Sequence, residues 1–205
     1  EYDQYNLEFS FFHDTRDRVI FTSTGNRQSV TLEAPAPSIS DLEFYKIDFR
    51  SLWYFPLADE WILSLDGGVS YADSYGTTSE LPFFEKYYAG GIRSVRGFKA
   101  NTLGPRDSNN DPFGGDFRVL GSAEMFFPVP GLEEVGSFRA SLFADAGQVF
   151  DEYDSFETQE IRASVGVAAE WVSPIGPLTF SLGWPLNDKD EDEVEVFQFS
   201  LGGGF

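Results

Sequence analysis

Apolar and polar residues alternate with a period of two through most of this 205-residue chain, the signature of strands with one apolar and one polar face. Leu7, Phe9 and Phe11 alternate with Asn6, Glu8 and Ser10, and a second run over 27–34 puts Val30, Leu32 and Ala34 on one face before Pro35-Ala36-Pro37 ends it. The clearest run sets Tyr45, Ile47, Phe49, Trp53 and Phe55 against Lys46, Asp48 and Arg50, with a break predicted at 56–59. Three charges on one face cannot enter a dry core without heavy desolvation, so that face is wet or internally paired.

Trp61, Leu63, Leu65, Val69 and Tyr71 oppose Ser64, Asp66 and Ser70 in the next run. A long Gly/Pro-rich interval, 74–116, follows as a predicted loop. Beyond it, four runs carry polar faces of Arg118, Ser122 and Glu124 (117–127), Arg139, Ser141 and Asp145 (137–145), Arg162, Ser164 and Glu170 (161–171), and Thr179 and Ser181 (178–184). A final run over 193–205 aligns Phe197, Phe199, Leu201 and Phe205. The result is nine predicted strands of about nine to thirteen residues, the length a tilted strand needs to cross a bilayer.

Connections alternate in length. Those at 56–59, 128–136 and 173–176 are short, and those at 74–116, 151–160 and 187–192 are longer or strongly acidic, as in an up-and-down antiparallel sheet. The connection at 15–26 is a long exception on the short side. Aromatics near strand ends, among them Trp53, Phe55, Trp61, Phe127, Trp171 and Trp184, fit an interfacial belt. The predicted fold class is therefore all-β, a transmembrane antiparallel up-and-down β-barrel. The alternative is a soluble sandwich or lipocalin-like barrel with its apolar face inward, which rarely needs so many Phe and Trp at strand ends.

Composition narrows the function. A net charge of -20 with no Lys/Arg cluster speaks against nucleic acid. There are no cysteines, which removes disulfides, thiolate metal sites and a thiol nucleophile. No run of about 18 apolar residues supplies a transmembrane helix, and a barrel is the membrane architecture that keeps mean hydropathy low. The chain starts abruptly at Glu1, as a mature or cut fragment would.

His13 is the single histidine, too few for a catalytic triad with spare candidates or a His-rich metal site, and no enzymatic role, cofactor or metal is expected. Asp107, Asn109 and Asp111 resemble a calcium loop only faintly, since Pro112 stands where glycine is required. The acidic run 188–193 reads as a solvated loop that divalent cations could bridge to lipid phosphates. Inside the long loop, Gly90-Gly91-Ile92-Arg93-Ser94-Val95-Arg96-Gly97-Phe98 carries apolar and Arg anchors that a free loop does not need.

These residues carry a resemblance. Tyr87-Tyr88-Ala89-Gly90-Gly91, Ser94-Val95-Arg96-Gly97-Phe98 and Asn101-Thr102-Leu103-Gly104-Pro105-Arg106 resemble the sixth extracellular loop of the BamA family of bacterial outer-membrane protein assembly factors. Further matching segments are 122–128, 143–150, 171–178 and 197–202, in the same order and over nearly the whole chain. The resemblance implies a sixteen-stranded barrel behind periplasmic domains, five of them in the main reading, of which this chain supplies the last nine strands; the first barrel strand is absent. It implies that loop 74–116 folds into the lumen, where Arg96 meets Glu124 and Asp145, with Val95, Gly97 and Phe98 completing the latch and Gly97 allowing close approach or positive φ.

The resemblance also implies that Phe197, Phe199, Leu201 and Phe205 form a carboxy-terminal recognition signal. Gly203 departs from the bulky residue usual two before the end. Gly202, Gly203 and Gly204 would leave a weakly zipped seam. The implied function is non-enzymatic insertion of β-barrel proteins into the outer membrane by local thinning and seam opening. The implied partners are the lipid bilayer and lipopolysaccharide, unfolded barrel clients and periplasmic lipoprotein subunits. Alternatives are the autotransporter-assembly homologue or a two-partner secretion pore, which share the loop motif, and a passive channel.

Overall fold

The computed structural model describes residues 4–36, 40–129 and 137–202. It is all-β and antiparallel, with strands β1 (Asn6–Asp14), β2 (Gly25–Pro35), β3 (Phe44–Ala58), β4 (Trp61–Ser74), β5 (Gly97–Phe98), β6 (Phe117–Phe127), β7 (Phe138–Phe150), β8 (Arg162–Ser173), β9 (Gly176–Pro185), β10 (Val194–Glu195) and β11 (Phe197–Leu201). Nine of them form one sheet in the order β1-β2-β3-β4-β6-β7-β8-β9-β11, and β5 pairs with β10 as a separate two-stranded sheet.

Each predicted alternation becomes a strand because the two faces meet different surroundings. The outer face exposes Phe9, Leu32, Phe49, Trp53, Trp61, Leu65, Trp171, Trp184, Phe197 and Phe199. The charges on the inner face of β3 are paired: Lys46 with Glu85 at 3.1 Å, Asp48 with the Tyr87 hydroxyl at 3.0 Å and Arg50 with Asp66. The interval between β4 and β6 covers that face. Its Leu81 and Tyr87 pack with Leu42, Phe44 and Ala72, and its Ala89, Val95, Phe98 and Leu103 pack on Val149.

Two expectations change. The break at 56–59 shrinks to a turn at Asp59-Glu60, because β3 runs on through Pro56 with a register shift between Pro56 and Ala58. Such an irregularity is where a strand accommodates a residue that cannot donate to the ladder. The final run splits: Phe197–Leu201 pairs with β9, whereas Val194 and Glu195 turn to Phe98 and Gly97 of the loop. In the 15–26 connection Asp17 accepts from the backbone of Ser23 and Thr24. Gly203, Gly204 and Phe205, expected to complete the seam and the recognition signal, lie outside the described residues, as do Pro37 and most of the 128–136 connection.

An outer face that meets hydrocarbon penalises charge according to depth. Leu65→Arg, set between Trp53 and Ala123 in neighbouring strands, should destabilise the protein in lipid vesicles by about 2–4 kcal/mol, and Ile175→Arg, in the β8–β9 turn, by about 0–1 kcal/mol. Denaturant titration of both variants in vesicles measures the difference; equal costs would point to a water-facing sheet.

Candidate functional site

Arg96 is the centre of the inner face. It is 7% exposed, and Asp145 is 2% exposed. Its Nε donates to Asp145 Oδ2 at 2.7 Å and its Nη2 to Asp145 Oδ1 at 2.8 Å, a two-pronged contact that a planar guanidinium makes and an ammonium cannot. The Arg96 backbone N–H adds a bond to Asp145 Oδ2 at 3.1 Å. Nη1 donates to Glu124 Oε1 at 3.2 Å, and Nη2 to Ser122 Oγ at 3.3 Å. Ser122 itself donates to Asp145 Oδ1, and Ser141 to Glu124. Burial works against the Arg96 charge, but the Asp145 hydrogen bond and the nearby charges of Glu124 and Asp145 outweigh it and raise its pKa.

Register assembles this arrangement. Ser122 lies opposite Asp145, and Glu124 opposite Phe143, in the β6–β7 pair. Phe143 departs from the polar character of its face: it is buried, and the Arg96 guanidinium lies 3.5 Å from its ring centroid. The ring fits because Phe143 pairs with Gly166 across the β7–β8 ladder, where a Cβ would come within 2.4 Å of the ring. Val95 and Phe98, both fully buried, flank Arg96 and anchor the loop in the cluster with Leu103 and Val149.

Gly97 has φ +90, and a Cβ there would meet the Gly183 carbonyl oxygen at 2.9 Å; a Cβ on Gly183 would meet the Gly97 nitrogen at 2.7 Å. The loop and β9 therefore touch backbone to backbone. Gly166 and Gly183, themselves register partners, leave a notch in the wall that receives the loop. Sequence reasoning missed Phe143, Gly166 and Gly183; the available signal was a glycine at an inward position of each strand, Gly166 on β8 and Gly183 on β9.

The acidic run 188–193, expected as a solvated loop, is largely engaged. Asp192 pairs with the buried Arg162, and Glu193 with Lys99 at 2.6 Å and Arg106 at 3.6 Å. The same hydrogen bond raises the Lys99 pKa and lowers that of Glu193. Asp107 spends its carboxylate on the N–H groups of Asn109 and Asp111, which makes that segment a side-chain-capped turn. Among the described residues no cluster of three or more His, Cys, Asp or Glu is placed to hold a metal.

On the terminal strand, Phe197, Phe199 and Leu201 all point outward and are exposed, and Gly202 has φ +94. A second inward Arg, missed as a site residue, lies toward the opposite end. Arg139 pairs with Glu170 at 2.9 Å, lies 3.4 Å from the Phe126 ring centroid and donates to the Thr22 carbonyl in the β1–β2 connection.

The whole chain, residues 1–205, matches the Omp85 superfamily domain. It is 39% identical to the outer membrane protein assembly factor BamA of Neisseria meningitidis over 92% of its length, and 32% identical to that of Nitratidesulfovibrio vulgaris over 81%. It spans about a quarter of these relatives, 27% and 21% respectively. Its fold superposes on the crystal structure of BamA from Haemophilus ducreyi lacking POTRA domains 1-3 with a TM-score of 0.86 and 30% identity, covering 95% of this chain and 41% of that one. The nine-stranded sheet corresponds to part of that barrel, and the chain belongs to the Omp85 superfamily.

Proposed function

We propose that this chain is the carboxy-terminal barrel portion of an outer-membrane assembly factor, a non-enzymatic insertase that folds other β-barrel proteins into the bacterial outer membrane. The observation that carries this reading is the buried two-pronged contact between Arg96 and Asp145, which straps a long loop to the inner wall of a sheet whose outer face is apolar and aromatic. An inserting barrel must keep its wall intact while one seam loosens. The strapped loop supports the wall at β6 and β7, and among the described residues the last strand, β11, pairs with β9 over Phe197–Leu201.

In this reading β11 would offer backbone donors and acceptors to a client strand, and strand addition of that kind is a general mode of recognition. Clients would be unfolded barrel proteins. The bilayer and lipopolysaccharide would contact the outward aromatics, and periplasmic lipoprotein subunits would act through upstream domains. In this reading the loop over 74–116 is the luminal plug, with Val95, Arg96, Gly97 and Phe98 seated on Glu124 and Asp145, and Phe197, Phe199, Leu201 and Gly202 belong to the recognition signal and seam.

In the full-length protein, Arg96→Ala should weaken the barrel by about 3–5 kcal/mol, the cost of leaving a buried carboxylate without its partner, and slow client folding. Heat-modifiable gel mobility reads the first effect and a client-folding assay the second. Slower client folding per folded molecule supports the insertase role, whereas a loss confined to mobility reduces Arg96 to a structural latch.

Gly183→Val should displace the loop without dissolving the sheet, because its side chain would enter the space of the Gly97 nitrogen. The expected result is trypsin cleavage at Arg93, Arg96 or Lys99 in a protein that retains its folded mobility; a protected loop in that variant would contradict the notch.

A further inference from the structure

The loop does more than rest on the wall. Immediately after Arg96, Gly97 and Phe98 pair with Glu195 and Val194, and the Lys99 N–H donates to the Glu193 carbonyl at 2.8 Å. The segment leading into the terminal strand is thus held by the loop on one side. On the other side it is held by β9, through the Gly183 N–H to the Val196 carbonyl at 2.9 Å. One residue into β11, Gln198 turns inward, is 5% exposed and donates its Nε2 to the Phe98 carbonyl at 2.7 Å. Its Oε1 is buried without a hydrogen-bond partner among the described residues, so the contact with Phe98 is the main satisfaction its amide receives.

From this geometry we propose that the loop is a clamp on the terminal strand, coupling the Arg96 latch to the seam, with Gln198 as the positioning residue. Arg96 grips β7, and the three residues after it grip 193–195, the lead-in to β11, and through Gln198 the head of β11 itself. The head of the terminal strand cannot swing from the wall without breaking its bonds to 97–99, and the loop cannot withdraw without releasing that head. Coupling between two such contacts is reciprocal: a client strand that draws the terminal strand away loosens Arg96, and release of Arg96 frees the terminal strand. The proposal rests on the reading of β11 as the seam.

Two experiments on the full-length protein test it. A Lys99→Cys, Glu193→Cys pair, in a background free of other reactive cysteines, should form a disulfide on mild oxidation and lock the clamp. Client folding by the locked protein should fall at least about tenfold, an effect of 1.4 kcal/mol, and return on reduction. Failure of the bond to form overturns the clamp geometry, and unchanged client folding in the locked form overturns the coupling. If the unsubstituted protein itself folds no client, the insertase reading fails, while disulfide yield still judges the clamp.

Second, hydrogen exchange in Gln198→Leu should rise about fivefold at the Lys99 and Gly183 amides, the scale of one net hydrogen bond, while amides within the β6–β7 ladder stay unchanged. Arg96→Ala should raise the same two amides, and the double variant should add little to the larger single effect. Unchanged exchange at Lys99 and Gly183, or a uniform rise across the sheet, would remove the positioning role of Gln198, and fully additive effects would separate the latch from the seam.

Discussion

A buried guanidinium needs its charge met on every side, and Arg96 obtains this from two neighbouring strands, β6 and β7. Asp145 faces its long edge, Glu124 its far nitrogen and Phe143 its flat face. None of these groups is local to the loop; each is delivered by the register of β6 on β7, and the Phe143 ring by the glycine opposite it in β8. A slip of one residue in either pair would carry the carboxylates to the apolar face. The loop is therefore a reader of sheet register, and it docks only where four strands agree.

The same principle recurs toward the other end of the wall. Arg139 sits on the Phe126 ring, pairs with Glu170 and caps the carbonyl of Thr22. Two connections from opposite ends of the sheet, the long loop and the β1–β2 turn, thus each spend a backbone or side-chain group on a charged wall residue. A chain with net charge -20 uses its few Arg residues where acids crowd together, which keeps the inner face paired rather than merely solvated. An apolar inner face would also be stable, but it would offer a loop no defined seat. Charge-assisted bonds fix position as well as energy.

Nine strands were legible because each has two faces in different surroundings, and a period of two records that directly. The desolvation cost of Lys46, Asp48 and Arg50 marked the inner face of β3 as wet or internally paired, and the structure pairs all three. The seat of Arg96 was only half legible: the pattern put Glu124 and Asp145 on one polar face, but the family resemblance, not the pattern, joined them to Arg96. Phe143 was hidden because an aromatic among inward polar residues breaks the alternation. Gly166 and Gly183 were hidden because glycine has no polarity to read, although their empty space is what admits the ring and the loop. The partners of the acidic run lay out of reach for another reason, since Arg162, Lys99 and Arg106 meet it only through tertiary folding.

The split of the terminal run was legible in part. The phase of alternation flips within 193–201, from Val194 and Val196 to Phe197, Phe199 and Leu201, which marks the break but does not say where the first part goes. What decides it is competition for backbone groups. Past Gly183, which still bonds Val196, β9 ends at Pro185, and proline has no N–H to offer a neighbour. The Arg96 latch brings a second backbone, Gly97 to Lys99, within reach of the same residues. Val194 and Glu195 pair where donors and acceptors remain, on the loop, and among the described residues β11 pairs with β9 over Phe197–Leu201. The point where the terminal strand joins the sheet is thus set by where the loop sits, and the loop's seat is set in turn by Arg96.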